Sequence, residues 1–302
     1  MTTRNSTTGP RVVCIGEIGW DLLPTGKQLG GAPVNVAYHA ARNGVSATAV
    51  TAVGGDVLGD EIVERFERAG IHAIVQRSGL PTATVRVALQ DGIPAYTIAR
   101  PVAWDDIRAT PEALAAVAGC EAVVYGSIAS REDEGTRQAL RELLSAAPAG
   151  AVRLFDINLR AGFQGPEVLV PLLDEATILK VNDEELVVLR ALLGLPEDDE
   201  AALRSLADDH ALDCVILTEG ARSSTVLTAD EVSTIPTPSC EVVDTIGAGD
   251  AFAGAFLAAW LAHEPLRTTH QRAVDVAAFV CGHEGAWPAY PASGAEPEED
   301  HR

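Results

Sequence analysis

Asp244-Thr245-Ile246-Gly247-Ala248-Gly249-Asp250-Ala251-Phe252 runs without a break into a stretch of small residues, 253–262, that reads as a helix. Glycines at 247 and 249 let backbone N–H groups converge where a Cβ would intrude, and the helix that follows points its positive end at the same spot. The amides of Gly247, Ala248, Gly249 and Asp250 are therefore candidates for holding an anion such as a phosphoryl group in transfer. Asp250, in the first turn, brings a carboxylate beside that anion, where it can accept the proton of an attacking hydroxyl. A tight turn with Asp250 as a helix-capping residue is the alternative reading of the same residues.

Upstream, valine- and isoleucine-rich runs at residues 11–16, 47–53, 122–125, 152–156, 177–181 and 213–218 alternate with helix-like segments. Among these are 34–43 ending at Gly44, 57–69 ending at Gly70, and 132–146. The alternation predicts an α/β fold with a mostly parallel central sheet. Two stretches interrupt it. Residues 20–31 separate the first strand from the first helix, and the alternating runs 84–90 and 95–100 flank Asp91-Gly92, a hairpin turn signal. A flap over a cleft and an edge hairpin of the main sheet both fit that pattern. A chain of 302 residues that is 47% hydrophobic can bury one substantial core, so a single domain over residues 1–302 is expected. Its lid strands fall near 18–31 and 82–104, and the acidic, proline-containing end, 292–302, is expected to fray.

The formal net charge of −21 argues against nucleic acid and anionic membrane as partners, since both need clustered lysine and arginine. A small molecule is the expected partner, and a polyphosphate would need local positive potential from helix N-termini, metal ions and a few placed cations. The five cysteines are scattered without a CxxC pair and read as reduced, mostly buried thiols. Residues 1–10 lack an apolar signal core and no run is long enough to span a bilayer, which points to the cytoplasm. The absence of GxxxxGK[ST] argues against a P-loop. Gly54-Gly55-Asp56-Val57-Leu58-Gly59 lacks GxGxxG spacing and reads as a strand-to-helix turn. The seven histidines have no metal-ligand spacing, and His39 and His283 read as structural or surface residues.

Further chemistry gathers at strand ends. Asn182 and Glu185, three residues apart on one helix face after a buried strand, are spaced either to hold metal-bound waters or to form a capping box. Lys180 and Arg160 are cations at the carboxyl ends of strands, where open α/β sheets bind ligands.

With the segment at 244–252, other stretches resemble, in order, the motifs of the ribokinase-like (PfkB) carbohydrate kinases, and the resemblance covers nearly the whole chain. They are Cys14-Ile15-Gly16-Glu17-Ile18-Gly19-Trp20-Asp21, Gly30-Gly31-Ala32-Pro33-Val34-Asn35-Val36-Ala37, Phe155-Asp156-Ile157-Asn158-Leu159-Arg160, Lys180-Val181-Asn182-Asp183-Glu184-Glu185 and Leu217-Thr218-Glu219-Gly220. Glu219 stands where the family commonly has glycine. The resemblance implies a three-layer α/β/α fold with a small β-strand lid, and an ATP-dependent sugar kinase. It assigns Asp21, Gly30, Gly31, Asn35 and Arg100 to the sugar, and Asn158, Arg160, Lys180, Thr218, Gly220, Gly247 and Gly249 to the nucleotide. It further implies Mg²⁺ held through water by Asn182 and Glu185, a monovalent cation such as K⁺ near Asp244, and a homodimer paired through the lid strands. The stretches 16–39, 81–106 (with Tyr96 and Ala103-Trp104-Asp105) and 155–160 look most like bacterial fructokinase-like members, so D-fructose is the expected acceptor. Ribose, 2-keto-3-deoxygluconate and a nucleoside are the alternatives within the family. A catalytically silent sugar-binding or regulatory protein on the same fold is the alternative outside it.

Overall fold

The computed structural model describes residues 9–23, 26–90, 93–131, 134–159 and 165–291; of residues 23, 86–90, 93–98 and 134 it describes the backbone alone. In chain order, β1 (Arg11–Ile15), β2 (Gly19–Leu23) and β3 (Gly26–Gly30) lead into α1 (Ala32–Arg42), followed by β4 (Ser46–Gly54), α2 (Val57–Ala69) and β5 (His72–Ser78). Then come β6 (Ala83–Gln90), β7 (Ile93–Ile98), α3 (Pro111–Ala118), β8 (Ala122–Tyr125), α4 (Glu134–Ser145), β9 (Val152–Asp156), α5 (Pro166–Leu173), β10 (Ile178–Asn182) and α6 (Asp183–Leu193). The chain continues through α7 (Asp199–Asp209), β11 (Cys214–Thr218), β12 (Ser223–Thr228), β13 (Val232–Pro236), α8 (Ala248–Leu261) and α9 (Leu266–Cys281).

Nine strands form the main sheet in the order β13-β12-β11-β10-β9-β8-β1-β4-β5, parallel from β5 to β11, with β12 and β13 antiparallel at one edge. Its strands are apolar on both faces because both faces are covered. In β1, Val13 and Ile15 pack with α3 to α7, whereas Val12 and Cys14 pack with α1, α2, α8 and α9. The alternation predicted the mostly parallel sheet, and the resemblance implied the three layers. Strand β1 is the point from which the chain runs outward in both directions, the kind of switch point where open α/β sheets place ligands at the carboxyl ends of strands.

The interrupting stretches form a separate four-stranded sheet, β3-β2-β6-β7, so the flap reading holds over the edge hairpin. Register pairs Gln90 with Ile93, bracketing the Asp91-Gly92 turn, which lies outside the described residues. The lid ends at Ile98 and does not reach residue 104. Ala103–Asp106 is a 3₁₀ turn whose Trp104 is buried in the main core. There the Arg131 guanidinium donates to both carboxylate oxygens of Asp105, at 2.9 and 2.8 Å. That buried, bidentate pair anchors the chain where it leaves the lid, and gives Ala103-Trp104-Asp105, part of the stretch that looks like fructokinase-like members, a structural role.

Helix caps follow the local chemistry. The Asp56 carboxylate accepts from the Gly59 amide to start α2, and Gly70 in the left-handed region ends it. Cys14, Cys120 and Cys214 are buried, while Cys240 is exposed and Cys281 half-buried. Among the described residues no helix is long and apolar enough to cross a membrane.

Two histidines sit fully buried. His39 Nε2 faces the carbonyl of Ala286 at 2.9 Å and Nδ1 faces the Tyr290 hydroxyl at 2.8 Å; a carbonyl only accepts, so the proton resides on Nε2 and Tyr290 donates to Nδ1. His270 bridges Ser224 and Ser233. Burial lowers both from 6.5 to about 4. The unfolded chain therefore takes up protons that the folded chain refuses, and stability falls as pH drops from about 6.5 toward 4. Thermal midpoints measured from about pH 7 down to pH 5 should decline, and His39→Gln should flatten part of that decline. An identical slope in the variant would exclude His39 as a source.

Helix α8 crosses α1 at close range because position 254 is glycine. A Cβ at Gly254 would sit 2.8 Å from the Ala40 amide nitrogen and 2.9 Å from the Val36 carbonyl oxygen. Backbone atoms cannot rotate away, so Gly254→Ala is expected to cost about 1–3 kcal/mol in urea denaturation and to lower activity by moving α8 off α1. An unchanged unfolding midpoint would contradict this close crossing.

Candidate active site

Four loops meet at the carboxyl ends of the strands. After β1 the chain enters the lid, and Gly31 begins α1 at φ +146, with space for a Cβ closed by the Glu17 carbonyl oxygen at 2.3 Å. The Glu17 carboxylate, buried, accepts from the first amide of α1 at Ala32, 3.3 Å away. Asp21, on β2, lies against Gly30: a Cβ there would stand 2.7 Å from Asp21 Oδ2. Gly30 thus makes room for the Asp21 carboxylate and Gly31 for the backbone at Glu17.

One turn into α1, Asn35 is buried, and its Nδ2 donates to Asp250 Oδ2 at 2.8 Å. Its Oδ1 accepts from the indole N–H of Trp287, also at 2.8 Å. Because an indole nitrogen only donates, Trp287 dictates which end of the Asn35 amide faces Asp250. The two halves of the chain are stitched together at this point.

Gly247 caps α8 at φ +79, and a Cβ there would lie 2.8 Å from that of Ala286. The amides of Ala248, Gly249 and Asp250 fall in the first turn of α8, where the helix ladder supplies no acceptor, although that of Ala248 donates to the Thr245 carbonyl at 3.3 Å. Gly249 is exposed and Asp250 half-buried. Beneath the turn, the Lys180 ammonium stands 3.5 Å from where a Gly249 Cβ would be and donates to Asp156 Oδ2 at 2.8 Å. Burial alone would lower the Lys180 pKa, but the carboxylates of Asp156, Glu185 and Asp250 outweigh it and raise the pKa, so the cation persists.

Asn182 and Glu185 form the capping box that starts α6, each side chain accepting from the other's backbone amide. Glu185 Oε1 also accepts from the Leu159 amide at 2.8 Å. Burial, then the nearby Asp156 charge, raises the Glu185 pKa. Among the described residues no group of three or more histidine, cysteine, aspartate or glutamate side chains is placed to cage a metal ion. The donors at Asn182 and Glu185 are oxygens with lone pairs beyond these bonds, which suits a hydrated Mg²⁺ held at one water's remove.

Thr218 ends β11 in register with Asn182, and Gly220 follows in the left-handed region at φ +56. The departure at Glu219 has a structural role, its carboxylate taking the hydroxyl of Ser223 and the guanidinium of Arg222. Asn158 is held at φ +44, turning the chain beyond β9. Arg100 is exposed just after β7. Arg160 lies outside the described residues, as does the stretch 292–302. The side chain of Tyr96 is not described. Both carboxylate oxygens of Asp244 close the loop, accepting from Ile246 and Gly285 at 3.0 Å each.

Three site residues were not singled out by sequence reasoning. Glu17 and Asp156 stood inside quoted stretches, at the strand ends where such groups act. Trp287 had no local signal, being 252 residues from its partner Asn35.

A family model described as pfkB family carbohydrate kinase matches residues 24–292. The chain belongs to the pfkB family. This carbohydrate kinase is a phosphotransferase with a hydroxyl acceptor. It is 30% identical to the aminoimidazole riboside kinase of Salmonella typhimurium, over 82% of this chain and 80% of the relative. To a fructokinase of Rhizobium leguminosarum bv. trifolii it is 28% identical, over 82% and 78%. Among solved structures, the fructokinase from Xylella fastidiosa with bound ATP superposes with a TM-score of 0.82 at 26% identity, covering 92% of this chain and 94% of that one. The pfkB assignment agrees with the three-layer fold and its separate lid sheet.

Proposed function

We propose that this kinase transfers the γ-phosphoryl of ATP to a hydroxyl of D-fructose, with Asp250 as the base. The observation that carries the reading is the Asn35–Asp250 hydrogen bond, which joins the α1 glycine turn to the N-terminus of α8. On the lid side, Asp21, Gly30, Gly31, Asn35 and Arg100 supply the donors and acceptors a neutral sugar requires. On the sheet side, Lys180, Asn158, Thr218 and Gly220 face the nucleotide, and Arg160, outside the described residues, is carried by the resemblance alone.

Asp250 Oδ2, fixed by Asn35, orients the acceptor hydroxyl and takes its proton as the oxygen attacks phosphorus in line. The amides of Gly247, Ala248 and Gly249 then meet the charge on the equatorial phosphoryl oxygens, reinforced by the α8 dipole and by Lys180. Mg²⁺ on the nucleotide, steadied through water by Asn182 and Glu185, would neutralise phosphate charge. With both oxygens of Asp244 engaged in closing the loop, a monovalent cation there would rest on backbone carbonyls.

Fructose is supported by the local likeness of the lid and of residues 155–160 to fructokinases and by relatives so named. A riboside is the second reading, because the aminoimidazole riboside kinase is equally similar. ADP release with Mg-ATP and D-fructose, beside ribose, 2-keto-3-deoxygluconate and a no-sugar control, tests the proposal. Fructose-dependent release is expected. Release with another acceptor alone would move the substrate, and ADP from none would favour a binding role. We also propose that the protein is a single-domain cytoplasmic kinase that pairs as a homodimer through its lid sheet. The terminal strands β3 and β7 each leave a sheet edge for pairing, and sedimentation at micromolar concentration would report a monomer if this is wrong.

A further inference from the structure

A hollow of about 320 Å³, lined in part by Trp287, opens between the C-terminal ends of α1 and α2 and residues 287–290. Its walls are Tyr38, Trp287, Tyr290, Ala69 and Ala289, and its charged groups are Arg42, Arg65 and Arg68. Among the described residues no carboxylate lines it, on a chain whose net charge is −21. The cations are in part preset: Arg42 Nη2 donates to the Ala69 carbonyl at 2.8 Å and its guanidinium lies 5.1 Å over the Tyr38 ring. Arg68 pairs with Glu64 at the rim, through side chains that are 66% and 61% exposed, a contact that solvent makes weak. Arg65 is exposed on the same face of α2.

Three guanidiniums above an aromatic floor match a dianion carried on a ring-sized body. Guanidinium forks bind phosphate oxygens in pairs, and the apolar wall takes the rest of the ligand. The volume falls at the small end of ligand pockets, which fits one ring and one phosphate.

We propose that this hollow is a binding site for a phosphate monoester of ring size, distinct from the phosphotransfer site. Trp287 forms its floor and donates to Asn35, which donates to Asp250. Trp287 thus stands two hydrogen bonds from Asp250.

The test is titration of the full chain with phenyl phosphate, followed by tryptophan fluorescence and by calorimetry, with inorganic phosphate and phenol as separate arms. Saturable binding of phenyl phosphate is expected, tighter than either arm and weakened at least about tenfold in Arg65→Ala/Arg68→Ala, whose ADP release without the probe stays at the parent rate. Arg65→Gln, which leaves the Arg68–Glu64 pair in place, is the second variant, with a smaller loss in the same direction. Equal binding to parent and variants would overturn the site. So would binding abolished by saturating ATP, which would mean the active site had been probed. Binding seen only after removal of residues 292–302 would also overturn it, by making the acidic end of the chain the occupant.

Discussion

Asp250→Asn is expected to lower kcat by about a hundredfold or more with little change in KM for either substrate, the loss characteristic of removing a general base. The substitution is nearly isosteric, and the amide oxygen of the new side chain still accepts from Asn35 Nδ2, so the bond across α1 and α8 survives. The ability to take a proton does not. A thermal midpoint close to the parent's, together with the kinetic loss, would separate chemistry from folding. Turnover within about threefold of the parent would remove Asp250 from the role of base and leave it as a first-turn carboxylate of α8 that joins that helix to Asn35.

Lys180→Met is expected to destabilise the fold by about 3–5 kcal/mol, read from urea denaturation. The ammonium and the Asp156 carboxylate are only 7% and 8% exposed and stand 2.8 Å apart. Removing the cation leaves Asp156 buried without its counter-charge beside Glu185, whose own pKa is already raised by burial and by Asp156. Replacing both partners, as in Lys180→Met/Asp156→Leu, should recover most of the lost stability, since an apolar pair of similar volume needs no desolvation of charge. Activity should not return with it, because the positive charge beneath Gly249 is gone. A single variant costing less than about 1 kcal/mol would mean that the pair is solvated and that Lys180 is not the fixed cation described above. A double variant with restored turnover would free the phosphate site from dependence on Lys180.

The α/β class, the positions of most strands, the antiparallel pairing of β6 with β7 and the glycine-rich start of α8 were legible from the chain alone, because each depends on neighbours within a few residues. Period-two and helical patterns, glycine after a helix and Asp-Gly between alternating runs act through backbone dihedrals and local hydrogen bonds. The same locality explains the ambiguities. Asn182 and Glu185 have capping-box spacing whether or not a metal is near, and the alternating runs at 84–100 suit a flap as well as an edge. Only the pairing of β2 with β6 in a second sheet separates flap from edge.

Other features had no local signature. Ala103-Trp104-Asp105 was legible only as a likeness to fructokinase-like members, and its burial with the Arg131–Asp105 pair became visible only in the fold. The Trp287–Asn35–Asp250 chain and the Lys180–Asp156 pair join residues far apart in sequence whose distances are set by how helices cross and how strands register. Residue types and short-range periodicity thus specified the elements and the chemistry available to them. Which carboxylate meets which donor, which cation stays charged under burial and which carboxylate lies against Gly30 were decided by packing, since desolvation and hydrogen bonding depend on the neighbours that folding brings together.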